Sequence, residues 1–88
     1  MRIAKIIGNV VSTRKDENLV GYSLMVIQVL KPGTEEVQDE LVAIDTVGAG
    51  VGDLVLVALG GAARVPLHPG KAPVDATIIG VIDTVDVR

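Results

Sequence analysis

The stretch DTVGAGVGDLVLV, Asp45–Val57, sets glycines at 48, 50 and 52 directly before an apolar run. Two readings compete. Either the glycines cradle a phosphate, or they let backbone pass where side chains cannot. The residues that follow decide between them. A dinucleotide loop of the G-x-G-x-x-G type opens a long helix inside a βαβ unit. Here Leu54 to Leu59 is a short apolar run closed by Gly60-Gly61, which reads as a strand. The glycines then belong to a tight turn at a strand end, where glycine enters positive φ without steric cost. A chain with strands at this point, and no long helix, is not a nucleotide-binding α/β unit.

Working outward, Gly and Pro signals divide the rest of the chain into further strands. The first spans Arg2 to Thr13 and the second Tyr22 to Leu30, with the polar run RKDEN (Arg14–Asn18) as the loop between them. Lys31-Pro32-Gly33 starts a turn that TEEVQDE continues, and the third strand runs from Leu41 to Thr46. Leu54–Leu59 is the fourth and Thr77–Val85 the fifth. Between these two, Ala62-Ala63-Arg64 has room for one helical turn, which Pro66 ends. PLHPGKAPVD (Pro66–Asp75) is loop. Five short strands with little helix predict an all-β fold, a small barrel or sandwich, in a single domain covering residues 1–88.

Alternation along these strands carries the next inference. A sheet with one wet face alternates apolar and polar residues. Met25, Ile27 and Val29 suit a core, yet Leu24, Val26 and Leu30 on the other face are apolar too. Ala4, Ile6 and Val10 share one face of the first strand, and Ile3, Ile7 and Val11 the other. One barrel has one interior. The second apolar face needs a cover, either sister subunits or the chain's own long loops, and packing between copies is the favoured reading.

Composition points the same way. The 88 residues include no cysteine and one histidine, His68, so neither a disulfide nor a metal supports this small domain. Oligomerisation is the support that remains. Cysteine-free composition suits the cytosol. The N-terminal MRIAKIIGNVV lacks the features of a signal peptide, and no apolar stretch is long enough to span a bilayer. The net charge of −3 is spread without a basic block, and Tyr22 is the sole aromatic residue. A nucleic-acid partner is therefore not expected, because both the cationic face and the stacking platforms are missing.

No nucleophile motif or paired carboxylates mark an active site. His68 lies in a proline-rich loop with no fixed partner, and reads as an exposed loop residue. Asp45 and Asp83 each precede a threonine, in the twice-used IDTV (Ile44–Val47 and Ile82–Val85). Such Asp-Thr pairs serve either as turn and capping groups or as hydrogen-bonding groups between subunits. Arg64, after the small residues GGAA, is either a solvated arginine or one that grips a neighbour with its planar fork.

Three segments together resemble one known family: MRIAKIIGNVVSTRK at the start, AIDTVGAGVGDLVLVALGGAAR in the middle and VDATIIGVIDTV at the end. In order and over nearly the whole chain, they are similar to the EutN/CcmL proteins, vertex proteins of bacterial microcompartments including carboxysomes. The resemblance implies a five-stranded OB-like β-barrel with one short helix, assembling into a cyclic ring. It implies a homopentamer in a cytoplasmic microcompartment shell, with hexameric shell proteins as partners and with no catalysis, cofactor or membrane. Within that resemblance Gly48, Ala49, Gly50 and Val51 gather around the ring axis and line a narrow opening. Asp45, Thr46, Ala63, Arg64 and Asp83 lie at the subunit boundary. GGAAR (residues 60–64) stands where the family carries a GSAAR-like segment. The rival readings are an OB-type binding module for single-stranded nucleic acid or carbohydrate, since one fold hosts many functions, and a small enzyme using His68 at a subunit boundary.

Overall fold

The structure is a computed structural model that describes residues 1–13, 15–60 and 75–85. Among the described residues there are five strands: β1 (Arg2–Val10), β2 (Ser23–Leu30), β3 (Val37–Asp45), β4 (Leu54–Leu59) and β5 (Ala76–Val81). They form a closed barrel in the order β1-β2-β3-β5-β4. Every pairing is antiparallel except β3 with β5, which is parallel.

Inward positions follow the period of two that a pleated strand imposes. Met25, Ile27 and Val29 from β2 meet Ala4 and Ile6 from β1, Ala43 from β3, Val55 and Val57 from β4, and Ala76 and Ile78 from β5. This cluster is the core, and Ile6, Ile27, Val55, Val57 and Ile78 have no exposed surface.

β1 departs from its expected facing. Ile6 lies opposite Ile27, but Gly8, not Ile7, lies opposite Val26. The extra residue is a bulge, and it resets the alternation. Val10 therefore stands on the outer face opposite Leu24, not in line with Ala4 and Ile6. A similar shift in β5 sets Ile78 opposite Val57 and Gly80 opposite Leu56.

Six strand limits differ from those read in the sequence, three of them by one residue: β2 starts at Ser23, β3 ends at Asp45 and β5 starts at Ala76. β1 ends at Val10 instead of Thr13, and β5 covers Ala76–Val81 instead of Thr77–Val85. β3 starts at Val37, so half of TEEVQDE is strand and not turn. Its first residues are exposed yet keep the hairpin ladder with β2, from Leu30–Val37 through Gln28–Glu40. Charged residues on such a strand limit stray pairing at its open edge. The Lys31–Gly33 turn is as expected. The Lys31 N–H donates to the Glu36 carbonyl (2.8 Å), and the Lys31 carbonyl accepts from the Thr34 N–H (3.0 Å) and hydroxyl (2.9 Å).

The RKDEN loop carries a 3-10 turn, Glu17–Leu19, capped by Asp16, whose Oδ1 accepts from the Asn18 N–H at 2.9 Å. Leu19 and Tyr22 fold back with Leu24 over Ile44, which they bury. At this corner the chain's own loop covers the barrel's outside, as the second of the two covering schemes supposes. The helical turn expected at Ala62–Arg64 lies outside the described residues.

Ile27 touches the core with no exposed surface, so Ile27→Ala should cost about 2–5 kcal/mol of stability. Urea unfolding at one fixed protein concentration measures it, and a loss below about 1 kcal/mol would contradict this core assignment.

Candidate functional site

The barrel closes where β3 meets β5. Only two residue pairs join these strands, Ile44 with Thr77 and Asp45 with Ile78. Thr46 reinforces the seam, since its N–H (3.3 Å) and its hydroxyl (2.8 Å) both donate to the Ile78 carbonyl. The buried Asp45 then turns the chain: its Oδ1 accepts from the Val47 N–H at 3.0 Å, an Asx turn. The Asp-Thr pair at 45–46 is thus a turn and seam device within the subunit. Its twin at 83–84 differs, for Asp83 is exposed.

Beyond the turn the glycine segment is pinned at its far end. The Asp53 carboxylate accepts from the Gly50 N–H (2.9 Å), and the Asp53 N–H donates to the Gly50 carbonyl (3.0 Å). The Gly52 N–H reaches the Ile6 carbonyl at 2.8 Å and the Ile6 N–H the Asp53 carbonyl at 3.0 Å, which stitches the segment to β1. Reading the sequence for chemistry passed over Asp53. Its signal was an Asx-type residue closing a glycine turn directly before a strand.

The three glycines do not share one reason. Gly48 and Gly52 have φ of 77° and 95°, a region that side chains rarely adopt. Gly50 has no positive φ, and a Cβ placed on it would meet nothing nearer than Asp53 Oδ2 at 4.0 Å. Ala49 is buried in the core cluster, while Val47 and Val51 are exposed. The loop therefore presents backbone and two valines, with Ala49 as its anchor.

The structure brings Asp45, Thr46 and Gly48–Val51 together at one end of the seam. Ala63, Arg64 and His68 lie outside the described residues. The two site carboxylates are engaged with main-chain N–H groups, and among the described residues no three His, Cys, Asp or Glu side chains gather as a metal site.

Comparison with known proteins identifies this arrangement. The family described as "Ethanolamine utilisation protein EutN/carboxysome" matches residues 1–83. The chain belongs to the EutN/CcmL family. The carboxysome shell vertex protein CcmL of Synechocystis sp. is 46% identical over 87 residues, which is 99% of this chain and 87% of that protein. Among solved structures, a carboxysome subunit CcmL superposes with a TM-score of 0.91 at 46% identity, covering 99% of this chain and 91% of that one. The GrpN pentameric microcompartment shell protein from Rhodospirillum rubrum superposes with a TM-score of 0.87 at 39% identity, covering 100% and 99%. The fold is the OB-like barrel of these proteins. Members of this family are structural shell proteins and not enzymes, and this chain is a vertex component of a cytoplasmic bacterial microcompartment shell.

The sorting of the glycines makes a prediction. Gly52→Ala forces a side chain into the left-handed region and should destabilise the fold by about 1–2 kcal/mol. Gly50→Ala should stay within about 0.5 kcal/mol of the parent. Urea unfolding of the dissociated subunit separates the two, and equal losses would contradict the assignment.

Proposed function

We propose that this chain forms a cyclic homopentamer that closes the vertices of a shell whose flat facets are built of hexameric shell proteins. A sheet of hexamers tiles a plane and has no curvature. Replacing a sixfold position by a fivefold one removes a wedge and lets the sheet close into a polyhedron. The observation that carries this reading is the pentameric GrpN structure, with a TM-score of 0.87 across the whole of this chain. An apolar outside supports it: Ile7, Val42, Val51 and Val81 are exposed on this small barrel.

In the proposed ring Gly48–Val51 surround the axis, and Asp45 and Thr46 stand beside the boundary, with Ala63, Arg64 and Asp83. Near a rotation axis the copies of one segment crowd together, and glycine admits that approach. Gly50 fits this role best, because nothing among the described residues of its own subunit demands a glycine there. Ala49 contributes main chain to the opening, since its side chain is committed to the core.

Native mass spectrometry of the purified protein should give a pentamer mass. Gly50→Leu should reduce the ring population at low micromolar concentration, or narrow the opening in a ring of normal mass. A Gly50→Leu ring of unchanged stability and unchanged opening would remove Gly50 from the axis. A parent protein with no ring mass at any concentration would end the pentamer reading itself.

A further inference from the structure

The outside of the barrel carries two rows of the same make. In one, Gly8 of β1 lies opposite Val26 of β2, which lies opposite Val42 of β3. In the other, Gly80 of β5 lies opposite Leu56 of β4, which lies opposite Ile3 of β1. Val26 sits between Met25 and Ile27, and Leu56 between Val55 and Val57, all four of them core residues. Both rows therefore point away from the interior. Each is a glycine beside two aliphatic side chains, with Val42 half exposed and Ile3, Val26 and Leu56 partly so.

Among the described residues nothing accounts for glycine at either position. Glycine in a strand interior weakens the strand and leaves no side chain to pack. Both residues sit at register shifts, but the bulge that demands glycine demands it at positive φ, and neither has one. Crowding is not the reason either. A Cβ on Gly8 would lie 4.0 Å from the Val26 Cβ, and one on Gly80 would lie 3.8 Å from the Leu56 Cβ, both ordinary contacts. Alanine fits both sites. With the described residues accounted for, what remains is close approach by a further surface.

We infer that these rows are the two complementary halves of the joint between neighbouring subunits, the aliphatic ridge of one row seating on the glycine notch of the other. The inference rests on the ring reading above. A closed ring joins copies through two different patches of each subunit, and two patches are what the barrel offers. On β1 they are separated by Lys5, whose outward row continues through Gln28 and Glu40. Ile3 also helps line an open groove of about 840 Å³, where Leu30, Leu54 and Val85 stand beside Lys5, Gln28 and Glu35, so the surface beside the second row is concave and of mixed polarity.

The test uses Gly8→Trp and Gly80→Trp in the full-length protein, with native mass spectrometry, analytical ultracentrifugation and circular dichroism. Each variant alone should keep the barrel spectrum and lose the ring, since every joint then has one blocked half. An equimolar mixture should form one-to-one heterodimers, because the free Gly8 row of one variant can meet the free Gly80 row of the other. The heterodimer should be about tenfold tighter than either homodimer, or more. If either tryptophan variant fails to fold, Gly8→Ala and Gly80→Ala take its place. Both fit the isolated chain, and should weaken the ring on dilution without lowering the unfolding midpoint of the dissociated subunit. A full ring from either tryptophan variant would overturn the inference and would leave the row facing solvent or a shell facet. Folded variants that lose the ring without preferring the heterodimer would also overturn it, since the rows would then not pair with each other. The parent protein's own ring mass, read in the same experiment, tests the ring separately.

Discussion

The structure depends on a short parallel seam. Five strands make a barrel only if the last gap closes, and here β3 and β5 close it with two residue pairs and the doubled donation of Thr46 to the Ile78 carbonyl. Closure leaves one interior, which Met25 and the alanine, valine and isoleucine side chains of five strands fill. It also fixes where the chain goes next. Asp45 turns the backbone immediately at the end of the seam, and Asp53 pins it again before β4. The glycine segment is held at both ends by bonds within the subunit, so a ring can place copies of it side by side without first ordering it. Ordering on association costs binding free energy, and a preformed segment reduces that cost.

A single interior also determines what the outside must do. The apolar residues left over after the core is filled divide into distinct groups. One group, around Ile44 and Leu24, is covered by Leu19 and Tyr22 from the chain's own loop. The others remain open, and they lie in rows interrupted by the polar row of Lys5, Gln28 and Glu40. An apolar surface cut into separate patches suits a subunit that meets a neighbour on each side, because a cyclic assembly presents different faces to its two neighbours.

Much of this was legible in the sequence, and the failures have physical causes. The β4 limits and the inward set Met25, Ile27 and Val29 were readable because buried strands declare themselves by apolarity and period. The start of β3 was not, because Val37–Glu40 is exposed and charged and is held as strand by its pairing with β2. The bulge at Ile7 was not either: it moves Val10 to the outer face through a register choice made by the partner strand, which no count along β1 contains. At the site, the Asp45 turn, the Asp53 that closes the glycine turn and the strand after it carry their signal in residue type, whereas the burial of Ala49 needed the folded loop. The shell function came from resemblance of whole segments, since an OB-like barrel by itself is compatible with many roles.

A structural protein of this kind has few of the signs by which function is usually recognised: no paired acids, no activated nucleophile, no cofactor loop. Its information is spatial, and glycine is where it is written. Gly48 and Gly52 are explained by their own backbone angles, and would be glycine in a monomer. Gly8, Gly50 and Gly80 have ordinary angles and room for a methyl group, so the described residues of their own subunit give no reason for them. Strand-interior glycine lowers stability, and a small barrel has little to spare. The conformational glycines belong to the fold, and the unexplained ones mark where the fold ends and the assembly begins.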